Sequence, residues 1–599
     1  MVKLFKTTAL ILLMAFAPLR FFAQNYAIDL NYIPFSYYGS YLSIVPQEYQ
    51  GKKDLFILDV SGRRMWTFKG IFKVEATFQG DVIKCDYTAS TSKITLKTEK
   101  GMIEIVYDDC NTLRFRGQGV GLRLTQCVYD GSSNSSLIKP DSSQWRILMG
   151  GYPHVIFTQI KGKSKVVSPL TIPGEKIDES KPQNLISISP AKDGFFECAF
   201  EQYNSAWRYH EYENSFDYCA KVSERNFQSF LKGLYPVGKA YNDLLIQAAY
   251  LKWSTVVMPR GFLSLPAMLC SKSTMSSVWS WDNCFSAMSV SYMHSKLALD
   301  QFRLVFNNQS AEGSLPDLIN DNHWMWGAVK PPIQALALKY LMEMSADSVK
   351  YSDFADLYEP ICRFTNFWFD YQDDDHDGIP QYNITNDSGE DNGTVFEAGF
   401  PLESPDLCAY LVIQMEFLSE MANDLGRASE SKIWMQRSVD LLQKLINELW
   451  NGEKFIAKHS ISGKCAENSR SFLNYIPIIL GKRLPEKILK KLIFDLKDPN
   501  GIVTPFGPAS EHPKSIYYKE DGYWRGPVWA PNTFLLVYGL DACGESDFAK
   551  EIAKRYINLC QKSGFPENFS SLNGRPLRDM GYSWTADVFI LLAYKYFRE

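Results

Sequence analysis

Hydrophobic periodicity changes once along this chain, near Ser223, and that change narrows the folds open to it. Between residues 26 and 218 apolar and polar residues alternate in short runs, such as 54–60, 94–98 and 102–107, each bounded by Gly, Asp, Asn or Ser. Short strands at this spacing predict a β-sandwich. From Tyr241 onward apolar residues recur at helical spacing over segments of twelve to twenty residues: 242–257, 282–299, 332–344, 352–371, 405–425, 429–449, 530–540, 547–560 and 583–597. A long series of helices joined by Gly/Pro/Asp-rich loops fits stacked helical hairpins. The expected organisation is multidomain, β then α: a sandwich over 25–223, a linker over 224–240 and an all-helical barrel over 241–599.

Residues 1–24 stand apart. Lys3 and Lys6 precede an apolar run over 9–19 and then Phe22-Ala23-Gln24, the layout of a signal peptide with cleavage expected after Gln24. This predicts an exported protein, periplasmic or secreted. No later run reaches the ~18 uninterrupted apolar residues of a membrane span. The twelve Cys contain no C-x-x-C pair and most sit in apolar context, which favours free core thiols, with a disulfide among Cys85, Cys110 and Cys127 left open.

Composition excludes several function classes. A net charge of -4, with 46% hydrophobic and 22% charged residues, is that of an ordinary globular protein. No basic cluster interleaves with aromatics, so nucleic acid is not an expected partner. No Gly-rich turn joins a strand to a helix in the manner of a phosphate-binding cofactor site. The unusual value is 14% aromatic residues, including 14 Trp. Such residues line both cores and sugar sites.

On a helical barrel, functional groups come from the loops at one mouth, and four loops are rich in Trp and acids. The first holds Trp279, Trp281, Asp282 and Asn283, where Asp282 is either a helix cap or a sugar ligand. The second runs from Gly313 through Asp317, Trp324 and Trp326 to Lys330-Pro-Pro-Ile-Gln334, placing Gln334 near a helix start where its amide can bond hydroxyls. The third opens with Asp373, Asp375 and Asp377 before Gly378, a D-x-D-x-D-G spacing. Ile384 stands where an EF-hand needs its twelfth-position Glu, so the choice there is between a non-EF calcium loop and a solvated acidic turn. The same loop continues through Asp387, Gly389, Glu390, Asp391 and Asn392, and such crowding can raise the pKa of one carboxyl as a general acid requires. The fourth is split between Tyr523-Trp524-Arg525-Gly526-Pro-Val-Trp529 and Pro566-Glu567-Asn568.

Together these windows, with Ser404-Pro-Asp-Leu407 and Gly581-Tyr-Ser-Trp584, resemble the inverting glycosidases of glycoside hydrolase family 63 and their mannosylglycerate-hydrolase-like relatives, and more distantly the family 37 trehalases. The resemblance covers about residues 240 to 599. It implies an (α/α)6 six-hairpin barrel, an α-linked oligosaccharide or glycoside as substrate and no required cofactor, with a structural calcium left open by the Asp373–Asp377 spacing alone. It places the general acid on Asp391 and the general base on Glu567. The sugar subsite falls on Asp282, Gln334, Trp524 and Arg525, and the expectation is a wall of Trp281, Trp324, Trp524 and Trp529 stacking on sugar faces. One departure is Asp387, where the family pattern has Glu. Inversion needs two carboxyls roughly 6.5 to 9.5 Å apart on opposite faces of the sugar.

Two rival readings use the same loops. A sugar epimerase or isomerase would draw on His, and of seven only His323, His376 and His512 lie in mouth loops. A non-catalytic glycan-binding protein would use the carboxylates only as hydrogen-bond partners.

Overall fold

The computed structural model describes residues 26–49, 51–62, 68–127, 143–147, 154–167 and 184–599. The expected signal peptide lies outside these residues. Up to Tyr203 the described chain forms two eight-stranded sheets whose pairings are antiparallel throughout. The centre of one is Met102–Asp109, Thr112–Gln118, Phe195–Tyr203 and His154–Lys161, in that order. The centre of the other is Gly121–Gln126, Gly70–Phe78, Lys52–Asp59 and Leu42–Tyr49. Register follows the period-two pattern: Ile94 pairs with Ile105 and Leu96 with Ile103, all four fully buried, while Thr95, Lys97, Met102 and Glu104 face outward. Phe72 of one sheet meets Phe200 of the other edge to face, with ring centroids 5.4 Å apart.

Helices follow: α1 Phe216–Lys232, α2 Asn242–Thr255, α3 Asp282–Val290, α4 Ser295–Phe306, α5 Gln334–Met344, α6 Tyr358–Tyr371, α7 Pro405–Asp424, α8 Ala428–Glu448, α9 Glu486–Leu496, α10 Ala530–Cys543, α11 Ser546–Ser563 and α12 Ser583–Phe597. A 3-10 segment spans Phe472–Arg483. The helices sort by burial. Every residue of α3 is buried, as are most of α10 and α12, whereas α8, α9 and α11 bury one stripe and expose the other. The buried set touches in a closed cycle: α3 packs on α5, α5 on α7, α7 on Phe472–Arg483, that segment on α10, α10 on α12, and α12 back on α3.

Three elements differ from the sequence expectation. The segment expected as linker is helical through Lys232, because α1 begins at Phe216 with the Ser215 hydroxyl accepting from the Tyr218 N–H, and its apolar stripe docks against the sheet through Phe216 and Cys219. Residues 282–299 belong to two helices, α3 and α4, separated at 291–294. Phe472–Arg483 and α9 add to the expected helices: Pro477 and Gly481, the latter at φ +56°, break the helical spacing of the first. All twelve cysteines are free thiols, including Cys85, Cys110 and Cys127. No helix among the described residues is long and apolar enough to cross a membrane.

The sheets are fastened to the helical region by buried polar contacts. The Lys272 ammonium donates to the Ser36 hydroxyl and to the carbonyls of Ser40 and Val256, and the Tyr250 hydroxyl donates to the Ser36 carbonyl.

Candidate active site

Two-residue strands in the loops bring the predicted windows together. Val278–Trp279 pairs with Leu318–Ile319, which pairs with Trp324–Met325, so the first and second loops share one small sheet. Val528–Trp529 pairs with Asn568–Phe569, which sets Glu567 beside the Tyr523–Trp529 turn. The Asp391 loop is bolted to that turn at Asn392. Its amide donates to the Gly522 carbonyl at 3.0 Å and accepts from the Trp524 N–H at 2.9 Å, while its carbonyl accepts from Arg525 Nε at 2.9 Å.

The Asp391 carboxylate receives two donors. Lys330 Nζ lies 3.0 Å from Oδ1, and the Tyr523 hydroxyl donates to Oδ2 at 3.2 Å. Lys330 is 3% exposed and also reaches Asp317 Oδ1 at 3.4 Å and the Asn386 carbonyl at 3.0 Å. Burial opposes its charge, but the carboxylates of Asp391 and Asp317 more than offset that and hold its pKa above the usual lysine value. Tyr523 remains a hydroxyl donor: burial raises its pKa first, and the charges of Asp391, Glu567 and Asp282 add to the rise. It therefore stands within electrostatic reach of all three carboxyls. Tyr523 has φ +64°, a conformation a bulky residue adopts only when its surroundings impose it, and Arg578, at φ +66°, lies over its ring at 4.8 Å.

Glu567 is 7% exposed, and its N–H donates to the Asp579 carbonyl at 2.7 Å. Burial, then the Asp579 charge, push its carboxyl up to about 8, with Arg578 opposing. Asp579 is itself fixed by the hydroxyls of Ser271, Ser273 and Thr274. Asp282 opens α3 and accepts from the Tyr582 hydroxyl at 3.2 Å and from the Cys270 thiol at 3.5 Å. Burial pushes it up to about 7, against the pull of Lys330.

Other predicted residues have different work. Asp387 accepts from the Val329, Asn383 and Ile384 N–H groups at 2.8, 2.9 and 3.1 Å, so its carboxylate frames the Asp391 loop. Burial pushes it up to about 6. The neighbouring Glu390 turns inward to Asn532, and burial raises it well above the usual range. The Gln334 amide donates to the Ser280 carbonyl at 3.2 Å, leaving its buried Oε1 without a hydrogen-bond partner. Arg525 braces Asn392 and comes within 3.6 Å of Glu397.

The Trp residues expected to stack on sugar pack on one another in this structure. Trp524 and Trp529 stack on each other at 3.9 Å and 9°, and Trp584 stands edge-on to both. Trp281 is 3% exposed and packs near Trp524 and Trp584. These rings form a packed floor, because aromatic pairs satisfy one another's faces as well as a sugar would. Gly389, at φ +73°, lets the Asp391 loop lie on this floor, since a Cβ there would come 2.6 Å from the Trp281 ring. Among the described residues the exposed indoles are Trp324 and Trp326.

Asp373, Asp375 and Asp377 each offer an oxygen within 4.8 Å of the others. Asp373 Oδ1 is buried without a hydrogen-bond partner, and the Lys444 ammonium reaches the Asp377 carbonyl.

In the sequence Lys330, Asp317, Tyr523 and Tyr582 stand out only as parts of motifs, and Asp579 does not stand out as a functional residue at all. A lysine before Pro-Pro carries no sign of burial among acids; only the fold supplies that.

Comparison with known proteins places this geometry. Residues 275–585 match the family model for the mannosylglycerate hydrolase MGH1-like glycoside hydrolase domain. The mannosylglycerate hydrolase of Rubrobacter radiotolerans is 20% identical over 405 residues, covering 52% of this chain and 89% of that protein. A glucosylglycerate hydrolase of Mycolicibacterium hassiacum is 31% identical over 77 residues, 13% of this chain and 19% of the relative. Among solved structures, a bacterial glucoamylase complexed with acarbose aligns over 96% of either chain with a TM-score of 0.60 and 11% identity. The GH63 mannosylglycerate hydrolase of Thermus thermophilus, solved with Tris, aligns over 58% of this chain and 99% of its own with a TM-score of 0.51 and 17% identity. An antiparallel β region followed by a helical region, with carboxyls gathered in the loops of the latter, is here the build of a glycosidase. The chain belongs to the mannosylglycerate hydrolase MGH1-like glycoside hydrolase family.

Proposed function

We propose that this protein hydrolyses an α-linked glycoside, an oligosaccharide or a small glucoside or mannoside, with inversion, using Asp391 as general acid and Glu567 as general base on an (α/α)6 six-hairpin barrel. The observation that carries it is Tyr523, whose hydroxyl donates to Asp391 while feeling the charge of Glu567. In this reading Asp391 protonates the glycosidic oxygen as the bond to the anomeric carbon breaks. Glu567 takes a proton from the water that attacks from the opposite face, so both protons are accounted for. Lys330 stabilises the carboxylate left on Asp391 once its proton has gone to the leaving group. The raised proton affinity of Glu567 makes it a stronger base. Asp282 and Gln334 are the proposed sugar ligands, Gln334 through its unpartnered Oε1.

One observation favours a second assignment. At neutral pH a carboxyl raised to about 8 rests protonated, which suits Glu567 as acid, and the ammonium beside Asp391 suits a carboxylate there that serves as base. We favour the first assignment because it keeps the acid and the base on the motif positions that the resemblance to the inverting glycosidases gives them. An α-glucoside and α-mannoside panel, including the glycerates, tests the activity itself: Asp391→Asn should lower turnover about 10³-fold or more, whereas a glycan-binding protein would show no turnover to lose.

The sheet region over 25–223, export through residues 1–24 and calcium at Asp373, Asp375 and Asp377 belong to the same proposal. The oxygen donors of that triad suit calcium, and the unpartnered Asp373 Oδ1 supports it. Chelation should then lower the melting temperature, with restoration by added calcium.

A further inference from the structure

Away from the carboxyls, a cavity of about 620 Å³ opens where the sheets meet residues 258–260 of the helical region. Its walls include Tyr41, Asn111, Tyr203, Asn204, Trp207 and Arg260. A volume of this size suits a small organic ligand.

The walls say what kind of ligand. Trp207 is held in one orientation because its Nε1 donates to Glu201 Oε2 at 2.9 Å. The same Glu201 oxygen accepts from the Tyr212 hydroxyl at 2.9 Å and lies 3.4 Å from His210 Nε2, so this carboxylate is committed to its neighbours. Arg260 is equally committed: its guanidinium lies over the Tyr41 ring at 3.5 Å, and Nε donates to Asp321 Oδ2 at 2.8 Å. Both charged walls are thus engaged by neighbouring side chains, which leaves an oriented indole, the Asn111 amide and the Asn204 amide nitrogen, the Asn204 Oδ1 accepting from Arg260 at 3.4 Å. An apolar ring face with amide donors and acceptors beside it matches the apolar face and hydroxyl rim of a pyranose.

We propose that this cavity is a second carbohydrate site, separate from the carboxyl centre, that takes a mono- or disaccharide with one ring against Trp207. The exposed Arg208 at its rim leaves room for an acidic sugar, so the test uses neutral and acidic probes.

Titration calorimetry of the wild type and of Asp391→Asn with maltose, α-1,2-mannobiose and digalacturonate should reveal one binding event insensitive to Asp391→Asn. Trp207→Ala should weaken that event by about tenfold or more, the scale of losing one aromatic anchor, while leaving turnover unchanged. If Trp207→Ala unfolds, Asn111→Ala on an exposed turn provides the second variant. Binding of none of the probes, or binding indifferent to both substitutions, would overturn the proposal. Because binding is read without turnover, this result stands apart from the success or failure of the catalytic assignment.

Discussion

Lys330 Nζ sits 3.0 Å from Asp391 Oδ1, and this ion pair, buried at the lysine and partly exposed at the aspartate, is the hinge of the site's electrostatics. The same ammonium lies 3.4 Å from Asp317 and also pulls on Asp282, so one cation balances three carboxyls. Lys330→Met should therefore leave several acids facing one another without a counter-charge. Breaking a fully buried pair by removing one partner costs about 3–5 kcal/mol, and the partial exposure of Asp391 puts this pair at the low end of that range. Denaturant unfolding should show a loss of that order, and kcat should fall more than KM rises. A variant with wild-type kcat would remove Lys330 from the mechanism.

The two carboxyl roles separate by leaving group. A general acid is dispensable when the leaving group needs no proton, so Asp391→Asn should regain much of its lost activity on a glycosyl fluoride. Glu567→Gln should not regain it, but added azide can replace the activated water. The reverse pattern would move the acid to Glu567.

pH acts through Glu567. Its folded pKa of about 8 lies above the unfolded value, so between about 4.5 and 8 the folded state binds more protons than the unfolded one. Stability contributed by the neutral carboxyl is full at low pH and is lost as pH rises toward 8. Glu567→Gln keeps a neutral group and should raise the melting temperature at pH 8 more than at pH 5. In the wild type, kcat/KM should decline above about pH 8, where the pair loses its single shared proton, whichever carboxyl is the acid.

Gly389 tests the packing under the Asp391 loop. A methyl at this position meets the Trp281 ring at 2.6 Å and must sit at φ +73°, so Gly389→Ala should displace the loop. Activity should fall by about tenfold or more with a smaller change in melting temperature, because the disturbance is local to the loop.

Much of the fold is legible in the sequence because it is written in period: alternating Ile and Leu in the sheets, and most helices from α2 to α12 at or near their expected ends. α3 and α4 look like one helix in the sequence because apolar residues continue through 291–294, and Phe472–Arg483 is hidden because a segment buried on nearly every side has no amphipathic signature. In the site, acids next to Gly and Trp are visible as motifs, and Asp391 and Glu567 do lie in loops that converge on Tyr523. What each neighbour does is not visible. That Trp524 lies flat on Trp529, and that Arg525 Nε donates to the Asn392 carbonyl, is seen only in the fold. Those pairings are set by tertiary contacts between distant segments, which local spacing does not encode.

The most direct test of hydrolysis by inversion is the anomer formed first. Proton NMR of the reaction on an α-glycoside, recorded before mutarotation, should show the β-anomer of the released sugar appearing ahead of the α-anomer. Initial accumulation of the α-anomer would mean retention and would contradict the assignment of Asp391 and Glu567 as an acid and a water-activating base.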